Sequence, residues 1–182
     1  HLGLVPSNEL AESSQQIAAM AAELREQVDL EALRAVAETA PPIREQLPDV
    51  PATGVRGPSN SDAVRIAYAV DSAFGFYYAD DLEALRGAGA ELQPFSPLRD
   101  RDLPRCDGLF LGGGFPETHM KTLEENTPMR EAVAGFIERG GPVYAECGGL
   151  MYLCRHLTWK GTTRKMAGVI PAGVVMHDKP QG

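Results

Sequence analysis

A short apolar run, a cysteine and two glycines follow one another within residues 143–153, and this stretch constrains the fold more than any other. The run from Val143 to Ala145 is typical of a buried strand, and the run from Leu150 onward is typical of a helix. Cys147 then lies on the turn between them, which is where a nucleophile elbow carries its nucleophile. The alternative interpretation is that Cys147 is an ordinary buried cysteine that packs as a small apolar side chain.

The residues beside Cys147 suit a thiol nucleophile. Gly148 and Gly149 keep a sharp turn open to a substrate, and the amide of Gly148 is well placed to donate to an oxyanion. The start of the following helix favours a thiolate at Cys147. Glu146 either hydrogen-bonds within the turn or tunes the thiol. We do not assign it as an activator, because a carboxylate next to a thiol disfavours the thiolate.

Strand and helix patterns alternate after residue 63. Apolar β-type runs predict four strands, at 64–70, 92–95, 108–111 and 143–145. Helical patterns follow them, at 80–87, from Glu124 or Asn126 to Arg139, and from Leu150 past Cys154. This alternation predicts an α/β fold with a doubly wound, mostly parallel sheet flanked by helices. Because functional groups collect at the carboxyl ends of the strands in such sheets, three loops should converge: those at 71–78, 112–119 and 146–149.

The two ends of the chain show other patterns. Apolar residues recur at helical spacing behind a cap at Ser7 or Asn8, which predicts one helix to about Ala37. Residues 40–62 are rich in proline and glycine and therefore predict a linker and a domain boundary. Near the other end, residues 159–165 are expected to form a polar turn region.

Charge and composition argue against several classes of function. The net charge of -8 argues against a nucleic-acid partner, since phosphate backbones are bound by clustered lysine and arginine. No apolar run approaches the roughly 20 residues of a membrane helix, so we expect no membrane partner and a cytoplasmic location. Three cysteines without a C-x-x-C spacing indicate neither a disulfide framework nor a metal site. A small-molecule substrate fits better.

Three consecutive glycines, Gly112 to Gly114, follow the predicted strand at 108–111. They let the main chain approach a ligand closely, although a tight connection would have the same composition. They are not a nucleotide-binding P-loop, because no Gly-Lys-Ser or Gly-Lys-Thr follows. Together with the cysteine turn they predict acyl transfer through a thioester. The oxyanion would then be held by backbone amides of Gly148 and of Gly113 or Gly114.

The remaining polar and aromatic candidates are interpreted structurally. A thiol nucleophile needs a base, usually a histidine, but none of the four histidines is assigned that role: His1, His119, His156 and His177. Glu117 is expected at a helix start. For four residues after the first predicted strand, packing against the next helix explains the pattern at least as well as ligand binding: Asp71, Phe74, Tyr77 and Tyr78.

Five segments in order resemble the cobyrinic acid a,c-diamide synthase family. They are D-S-A-F-G-F-Y-Y-A-D-D-L-E from residue 71, G-A-E-L from 89, P-F-S-P-L from 94, D-G-L-F-L-G-G-G-F-P-E-T-H from 107 and Y-A-E-C-G-G-L-M-Y from 144. The resemblance covers nearly everything from Val64 to Gly182. Cobyric acid synthases are less similar, because their loop after the second core strand typically reads Pro-Gly-Ser-Lys, where this chain has Gly-Gly-Gly-Phe-Pro-Glu.

The resemblance implies a domain organisation. Members of the family have an N-terminal ATP-binding domain and a C-terminal, flavodoxin-like domain of the class I glutamine amidotransferase type. Residues 1–39 resemble the end of the ATP-binding domain plus a connecting helix, and residues 40–62 resemble the linker. Residues 63–182 resemble an amidotransferase domain that lacks its C-terminal part. ATP and magnesium would bind outside these residues, and no metal or other cofactor is expected within them.

The resemblance also implies a reaction. It maps Cys147 onto the nucleophile that attacks the carboxamide of glutamine. The released ammonia would amidate side-chain carboxylates of a corrinoid, cobyrinic or hydrogenobyrinic acid, in an ATP-dependent ligase reaction of cobalamin biosynthesis. The family's catalytic histidine is expected beyond Gly182, so we expect this chain alone to have little or no activity.

Two other classes of protein stay open at this stage. A non-catalytic amidotransferase-like module would bind or dock rather than cleave, and a cysteine-elbow peptidase would use the same type of turn. A homodimer is a further expectation, because the N-terminal helix would expose its apolar stripe if nothing packed on it.

Overall fold

A computed structural model describes residues 10–41 and 63–177 of the chain. The chain divides into two units, residues 1–54 and 55–182, and each is described by itself. Most of the predicted linker lies outside the described residues, so its boundaries stay a prediction. Within the described part, no helix is long and apolar enough to cross a membrane.

The N-terminal unit contains two helices where the sequence predicted one. Helix α1 spans Leu10–Gln27 and helix α2 spans Leu30–Glu38. The break falls at Asp29, whose extended backbone leaves the helix and whose carboxylate accepts a hydrogen bond from the Ala32 N–H at 2.9 Å. Aspartate at this position caps a new helix, which explains the interruption of an otherwise helical pattern. The predicted caps at Ser7 and Asn8 lie outside the described residues.

An apolar stripe runs along the outside of both helices. Its members follow helical spacing, and each has more than a third of its surface exposed: Ile17, Met20, Leu24, Val28, Leu30, Leu33 and Val36. No described residue of α2 is buried. The exposed stripe that the sequence predicted is therefore present.

A parallel sheet of four strands forms the centre of the second unit. The strands are β1 (Arg65–Ala69), β3 (Glu91–Phe95), β4 (Gly108–Leu111) and β6 (Val143–Ala145), in the order β3-β1-β4-β6. Helices α3 (Ala79–Gly87) and α5 (Thr127–Glu138) lie on crossover connections between them. The predicted α/β fold with a mostly parallel sheet is confirmed. The strand order reverses between β1 and β4, and ligands of doubly wound sheets bind at such reversals.

A small two-stranded ribbon lies at the carboxyl ends of β1 and β4. Strands β2 (Phe74–Phe76) and β5 (Gly113–Gly114) pair in antiparallel fashion, with Phe74 opposite Gly114. A 3₁₀-helix at Pro116–His119 and helix α4 (Met120–Glu125) follow β5. The ribbon joins two of the loops that were expected to converge.

The predicted helix that ends at Arg139 begins at the second of its two predicted starts, Asn126 rather than Glu124. Asn126 separates α4 from α5, with φ -81° and ψ 60°, and Pro128 follows in the first turn of α5. The Asn126 side-chain amide donates to the carbonyls of Pro97 and Asp100, both at 2.8 Å. These long-range bonds hold the break, and a sequence pattern does not show them.

The helix after Cys147 is much shorter than expected. Helix α6 spans Gly148–Leu153, and Cys154 begins strand β7 (Cys154–Trp159) instead of continuing the helix. Strand β8 (Thr162–Lys165) and strand β9 (Ile170–Val175) complete a second sheet in the order β8-β7-β9. The predicted polar turn region is therefore a hairpin, in which Lys160 and Gly161 adopt φ 47° and 75°. Two consecutive positive φ values are typical of a type I′ hairpin turn.

One hydrophobic core joins the two sheets through the short helix α6. Phe74 and Tyr152 are fully buried, and their rings meet edge to face at 5.5 Å between centroids. The largest buried side chains of this core come from strands, ribbon and helices alike: Phe74, Leu111, Leu123, Met129, Val133, Tyr152, Leu157 and Met166. This packing fixes α6, and with it the turn that carries Cys147, against the end of the parallel sheet.

Candidate active site

Cys147 forms the sharp turn that the sequence predicted between a strand and a helix. Its backbone adopts φ 46° and ψ -113°, and it precedes α6 directly after Glu146. The Gly149 N–H donates to the Glu146 carbonyl at 2.8 Å, which closes a four-residue turn around Cys147 and Gly148. These angles are close to those of the first central residue of a type II′ turn, a position dominated by glycine. A cysteine is strained there, as nucleophile elbows are.

The thiol of Cys147 is exposed, in contrast to the other two cysteines. Cys154 is buried and its thiol donates to the Leu150 carbonyl at 3.4 Å, whereas Cys106 is half-buried. Burial raises the pKa of both Cys106 and Cys154. The interpretation of Cys147 as an ordinary buried cysteine is therefore wrong. Its role as a nucleophile stays a prediction.

Close packing at Gly149 seats the turn on strand β4. An added Cβ at Gly149 would lie 2.0 Å from the carbonyl oxygen of Leu111, so only glycine fits. Gly149 also shares its N–H with the Gly112 carbonyl, at 3.0 Å. Helix α6 therefore starts directly above the carboxyl end of β4, where the glycine loop begins.

The glycine loop lies directly beside the cysteine. An added Cβ at Gly113 would come within 3.7 Å of the Cys147 Cβ, and one at Gly148 would lie 3.0 Å from the Gly114 nitrogen. Within the described residues, the Gly148 N–H donates to no acceptor. The three glycines predicted as oxyanion donors thus lie next to one another at the turn that carries Cys147. Their donor roles stay a prediction.

The loop after β1 packs under the glycine loop and completes the convergence of the three predicted loops. The Phe115 N–H donates to the Ala73 carbonyl at 2.9 Å, and an added Cβ at Gly114 would lie 2.0 Å from the same oxygen. The Asp71 carboxylate accepts four hydrogen bonds at 2.8–3.2 Å, from Ala73 N, Phe74 N, Ser96 Oγ and Leu98 N. Asp71 therefore ties two loops together, a role that the expected packing against the next helix did not include.

Tyr77 connects the ends of strands β1 and β4. Its hydroxyl lies 2.7 Å from the Ala69 carbonyl and 3.2 Å from the Phe110 carbonyl, and it accepts the Gly112 N–H at 3.0 Å. Its ring packs edge to face on Tyr68 and Phe110, not on α3. Tyr78, in contrast, is 76% exposed. The sequence left packing and ligand binding open for Tyr77, and nothing in the pattern indicates its hydroxyl partners.

Two carboxylates lie near the turn and the glycine loop. The Tyr144 hydroxyl donates to Glu146 Oε2 at 3.2 Å, and the charge of Glu146 raises the pKa of Tyr144. Glu117 is buried in the first turn of the 3₁₀-helix, where it was expected at a helix start. Burial raises the pKa of Glu117. Glu146 therefore accepts a hydrogen bond within the site, as one of its two interpretations expected.

Histidines do not meet Cys147 within residues 63–177. His119 ends the 3₁₀-helix, His156 is exposed on β7 rather than on the elbow helix, and His177 is exposed after β9. None of the three is hydrogen-bonded to Cys147, and His1 lies outside the described residues. The described residues also contain no group of three or more side chains that could hold a metal ion.

The comparisons with known proteins agree with this geometry. Residues 65–182 match the family model described as the CobB/CobQ-like glutamine amidotransferase domain. Cobyrinate a,c-diamide synthase from Magnetococcus marinus is 46% identical, over 100% of this chain and 39% of that protein. The enzyme of the same name from Methanothermobacter thermautotrophicus is 40% identical, over 100% of this chain and 39% of that protein.

One solved structure is also similar, a putative peptidase E from Listeria monocytogenes EGD-e. Its TM-score is 0.48 at 13% identity, over 62% of this chain and 66% of that chain, and a likeness at this level carries no argument about function. The chain spans about two fifths of the length of the curated relatives it matches. Their names confirm the resemblance to the cobyrinic acid a,c-diamide synthases. The chain therefore belongs to the CobB/CobQ-like glutamine amidotransferase domain family.

Proposed function

We propose that this chain is the glutamine-hydrolysing part of a cobyrinate a,c-diamide synthase. In the whole protein, ammonia from glutamine amidates side-chain carboxylates of cobyrinic or hydrogenobyrinic acid. The observation that carries the proposal is the exposed Cys147 on a strained turn, seated against three glycines at the carboxyl end of a parallel sheet. Few structural roles require a strained, exposed cysteine, whereas a nucleophile elbow does.

The first chemical step is attack by the sulfur of Cys147. The thiolate forms a bond to the carboxamide carbon of glutamine, and the carbonyl π electrons move to oxygen to give a tetrahedral oxyanion. Collapse of the oxyanion breaks the carbon–nitrogen bond. The leaving nitrogen takes up a proton and departs as ammonia, and a thioester remains on Cys147. Water then attacks the thioester, releases glutamate and restores the thiol.

The backbone amides around Cys147 suit the oxyanion of both steps. The Gly148 N–H follows Cys147 directly and donates to no acceptor within the described residues, so it is available to a ligand. A Cβ added at Gly113 would lie 3.7 Å from the Cys147 Cβ, and one added at Gly148 would lie 3.0 Å from the Gly114 nitrogen, so all three glycines are close to the thiol. We assign Gly148 and one of the other two glycines as donors. Removal of one such donor typically lowers kcat by about 10²–10³.

The base that deprotonates Cys147 is assigned to residues outside this chain. Within the described residues no histidine is hydrogen-bonded to the thiol, and the resemblance puts the family's histidine beyond Gly182. We therefore expect the 182-residue chain to release little or no ammonia from glutamine. Steady release that Cys147→Ala abolishes would contradict this expectation.

We assign ATP and magnesium to the ligase step of the whole protein. The resemblance puts their site in a separate domain, where ATP would activate the corrinoid carboxylate. The residues described here supply only the ammonia. This division of labour is consistent with a chain that covers 39% of the length of its relatives.

The proposal is tested with a diazo-ketone analogue of glutamine on the full protein, including the residues on both sides of this chain. Peptide mapping should find one adduct, on Cys147. Iodoacetamide serves as the control, because it alkylates any accessible thiol and needs no glutamine site. Cys106 and Cys154 should react slowly with both reagents, because burial raises the pKa of each.

A non-catalytic binding module is the second candidate function. The absence of a hydrogen bond between Cys147 and a histidine in the described residues favours it. Under this alternative, iodoacetamide would label Cys147 in the full protein but the glutamine analogue would not. An adduct of the analogue on Cys147, with ammonia release from glutamine that depends on the same residue, would exclude the module.

A further inference from the structure

We propose that Tyr77 is a positioning residue for the amide hydrolysis, because its hydroxyl fixes the start of the glycine loop that faces Cys147. The inference rests on the proposed function, since it assigns a part to a residue in that reaction. It goes further by assigning the geometry of the site to a side chain that does not itself touch the substrate.

The hydroxyl of Tyr77 is fully engaged by the main chain. One hydroxyl carries one proton, which it donates to the Ala69 carbonyl at 2.7 Å or to the Phe110 carbonyl at 3.2 Å. The oxygen accepts the Gly112 N–H at 3.0 Å. The hydroxyl oxygen thus lies within hydrogen-bond distance of Ala69, the last residue of β1, and of Phe110 and Gly112 at the end of β4. Burial raises the pKa of Tyr77, so the hydroxyl stays neutral and keeps its proton to donate.

The ring of Tyr77 leaves room only for glycine at position 112. An added Cβ at Gly112 would lie 2.6 Å from Cε1 of the ring, so no larger residue fits beside it. Gly112 therefore has no side chain of its own that could restrict its backbone. Hydrogen bonds have to fix the orientation of its two peptide groups instead.

Three contacts hold these two peptide groups, because the Leu111 carbonyl of the first one also accepts the Glu146 N–H at 3.0 Å. The Tyr77 hydroxyl accepts the N–H of the Leu111–Gly112 peptide. The Gly149 N–H donates to the carbonyl of the Gly112–Gly113 peptide at 3.0 Å. The second of these peptides contains the Gly113 nitrogen. Because the N–H and C=O of a trans peptide point in opposite directions, its rotation sets the direction of the Gly113 N–H.

The same contacts reach the cysteine turn. The Gly149 N–H that binds Gly112 also closes the turn around Cys147, and Gly113 lies beside the cysteine side chain. A rotated Gly112 would therefore move the Gly113 N–H, one of the two candidate donors, while the bond from Gly149 to the Glu146 carbonyl keeps the cysteine turn closed. The effect on catalysis should appear in the transition state, where the oxyanion forms, and not in the binding of glutamine.

The test is Tyr77→Phe in the full protein, which removes one oxygen and keeps the ring. We expect kcat for glutamine hydrolysis to fall about 10- to 100-fold while KM for glutamine changes less than about twofold. The rate of Cys147 alkylation by iodoacetamide should not change, because the thiol keeps its place. A general loss of structure would instead raise KM and alter the alkylation rate as well.

The matched control is Tyr152→Phe, which removes the same oxygen from another buried tyrosine. The Tyr152 hydroxyl has no hydrogen-bond partner within the described residues, so its loss should leave kcat and KM unchanged. Normal kcat in Tyr77→Phe, or equal losses in the two variants, would overturn the positioning role. If the wild-type protein neither hydrolyses glutamine nor takes the analogue on Cys147, the proposed function itself fails and this role fails with it.

Discussion

Replacing Cys147 by glycine should make the protein more stable than replacing it by alanine. Both variants lack the thiol, so they differ only in the Cβ atom. That atom is strained in the wild-type turn, where Cys147 adopts φ 46° and ψ -113°. Alanine keeps this strain, whereas glycine reaches the same angles without it.

The size of the difference follows from two opposing effects. A non-glycine residue in a sparsely populated backbone region costs about 1–3 kcal/mol. Glycine loses more backbone freedom on folding, which costs about 0.5–1 kcal/mol relative to alanine. Packing of the Cβ adds little, because Cys147 is exposed. We therefore expect the unfolding free energy of Cys147→Gly to be about 0.5–2 kcal/mol higher than that of Cys147→Ala. Each kcal/mol should raise Tm by roughly 2–4 °C.

The assay is urea unfolding followed by tryptophan fluorescence. The chain has one tryptophan, Trp159, which lies on β7 in the same unit as the turn. Equal m-values in the two variants would show that the difference in midpoint reflects stability alone.

A control substitution separates turn strain from the general effect of glycine. Ala88 has an ordinary φ of -76°, so Ala88→Gly should lower the free energy of unfolding by about 0.5–1 kcal/mol. If Cys147→Gly is less stable than Cys147→Ala by a similar amount, the turn is not strained. The turn would then no longer support the assignment of Cys147 as a nucleophile.

Two further predictions concern packing and pH. Gly149→Ala places a Cβ 2.0 Å from the Leu111 oxygen and should cost about 1–3 kcal/mol of unfolding free energy, whereas Gly87→Ala in helix α3, with nothing within 4 Å, should gain about 0.5–1 kcal/mol. Arg65, which donates to both carboxylate oxygens of Asp107, lowers the pKa of that carboxyl to about 2. The ion pair therefore stabilises the fold above the unfolded pKa of about 4, and this contribution is lost as the pH falls through about 2. Asp107→Asn should unfold more easily than the wild type at pH 7, and the two urea midpoints should converge between pH 4 and pH 2.

The parallel strands could be predicted from the sequence almost to the residue. Strands such as Gly108–Leu111 are buried on both faces, so they read as continuous apolar runs, and glycines or prolines bound them. The strand Val143–Ala145 was also found, but it is not buried as predicted, since Tyr144 is 61% exposed. The turn at Cys147 was predictable for another reason. Its strand, its two glycines and its helix are all local in sequence.

Two errors arose where two patterns meet without a glycine or proline between them, and one strand was missed for a different reason. The apolar spacing of α6 continues through Cys154 into β7, so the end of the helix at Leu153 leaves no local signal. Asp29 interrupts the N-terminal helix with a cap alone. The ribbon strand Gly113–Gly114 has no side chains to indicate it.

The contacts that organise the candidate site were beyond any local pattern. The hydroxyl of Tyr77 binds residues that lie 8, 33 and 35 positions away. The carboxylate of Asp71 binds Ser96 and Leu98, which are 25 and 27 positions away. Sequence spacing predicted which residue types gather at the sheet end. Only the fold shows which atoms meet.

The phenol of Tyr77 also closes the crevice at the reversal of strand order. In open α/β sheets, a nucleotide or flavin lies between the two strands where the winding changes direction, which in this sheet are β1 and β4. That gap is bridged here by a side chain bonded to both strand ends. We therefore expect a nucleotide to enter this position only if the ring moves. The turn with Cys147 lies at the neighbouring end of β6, one strand further along the sheet.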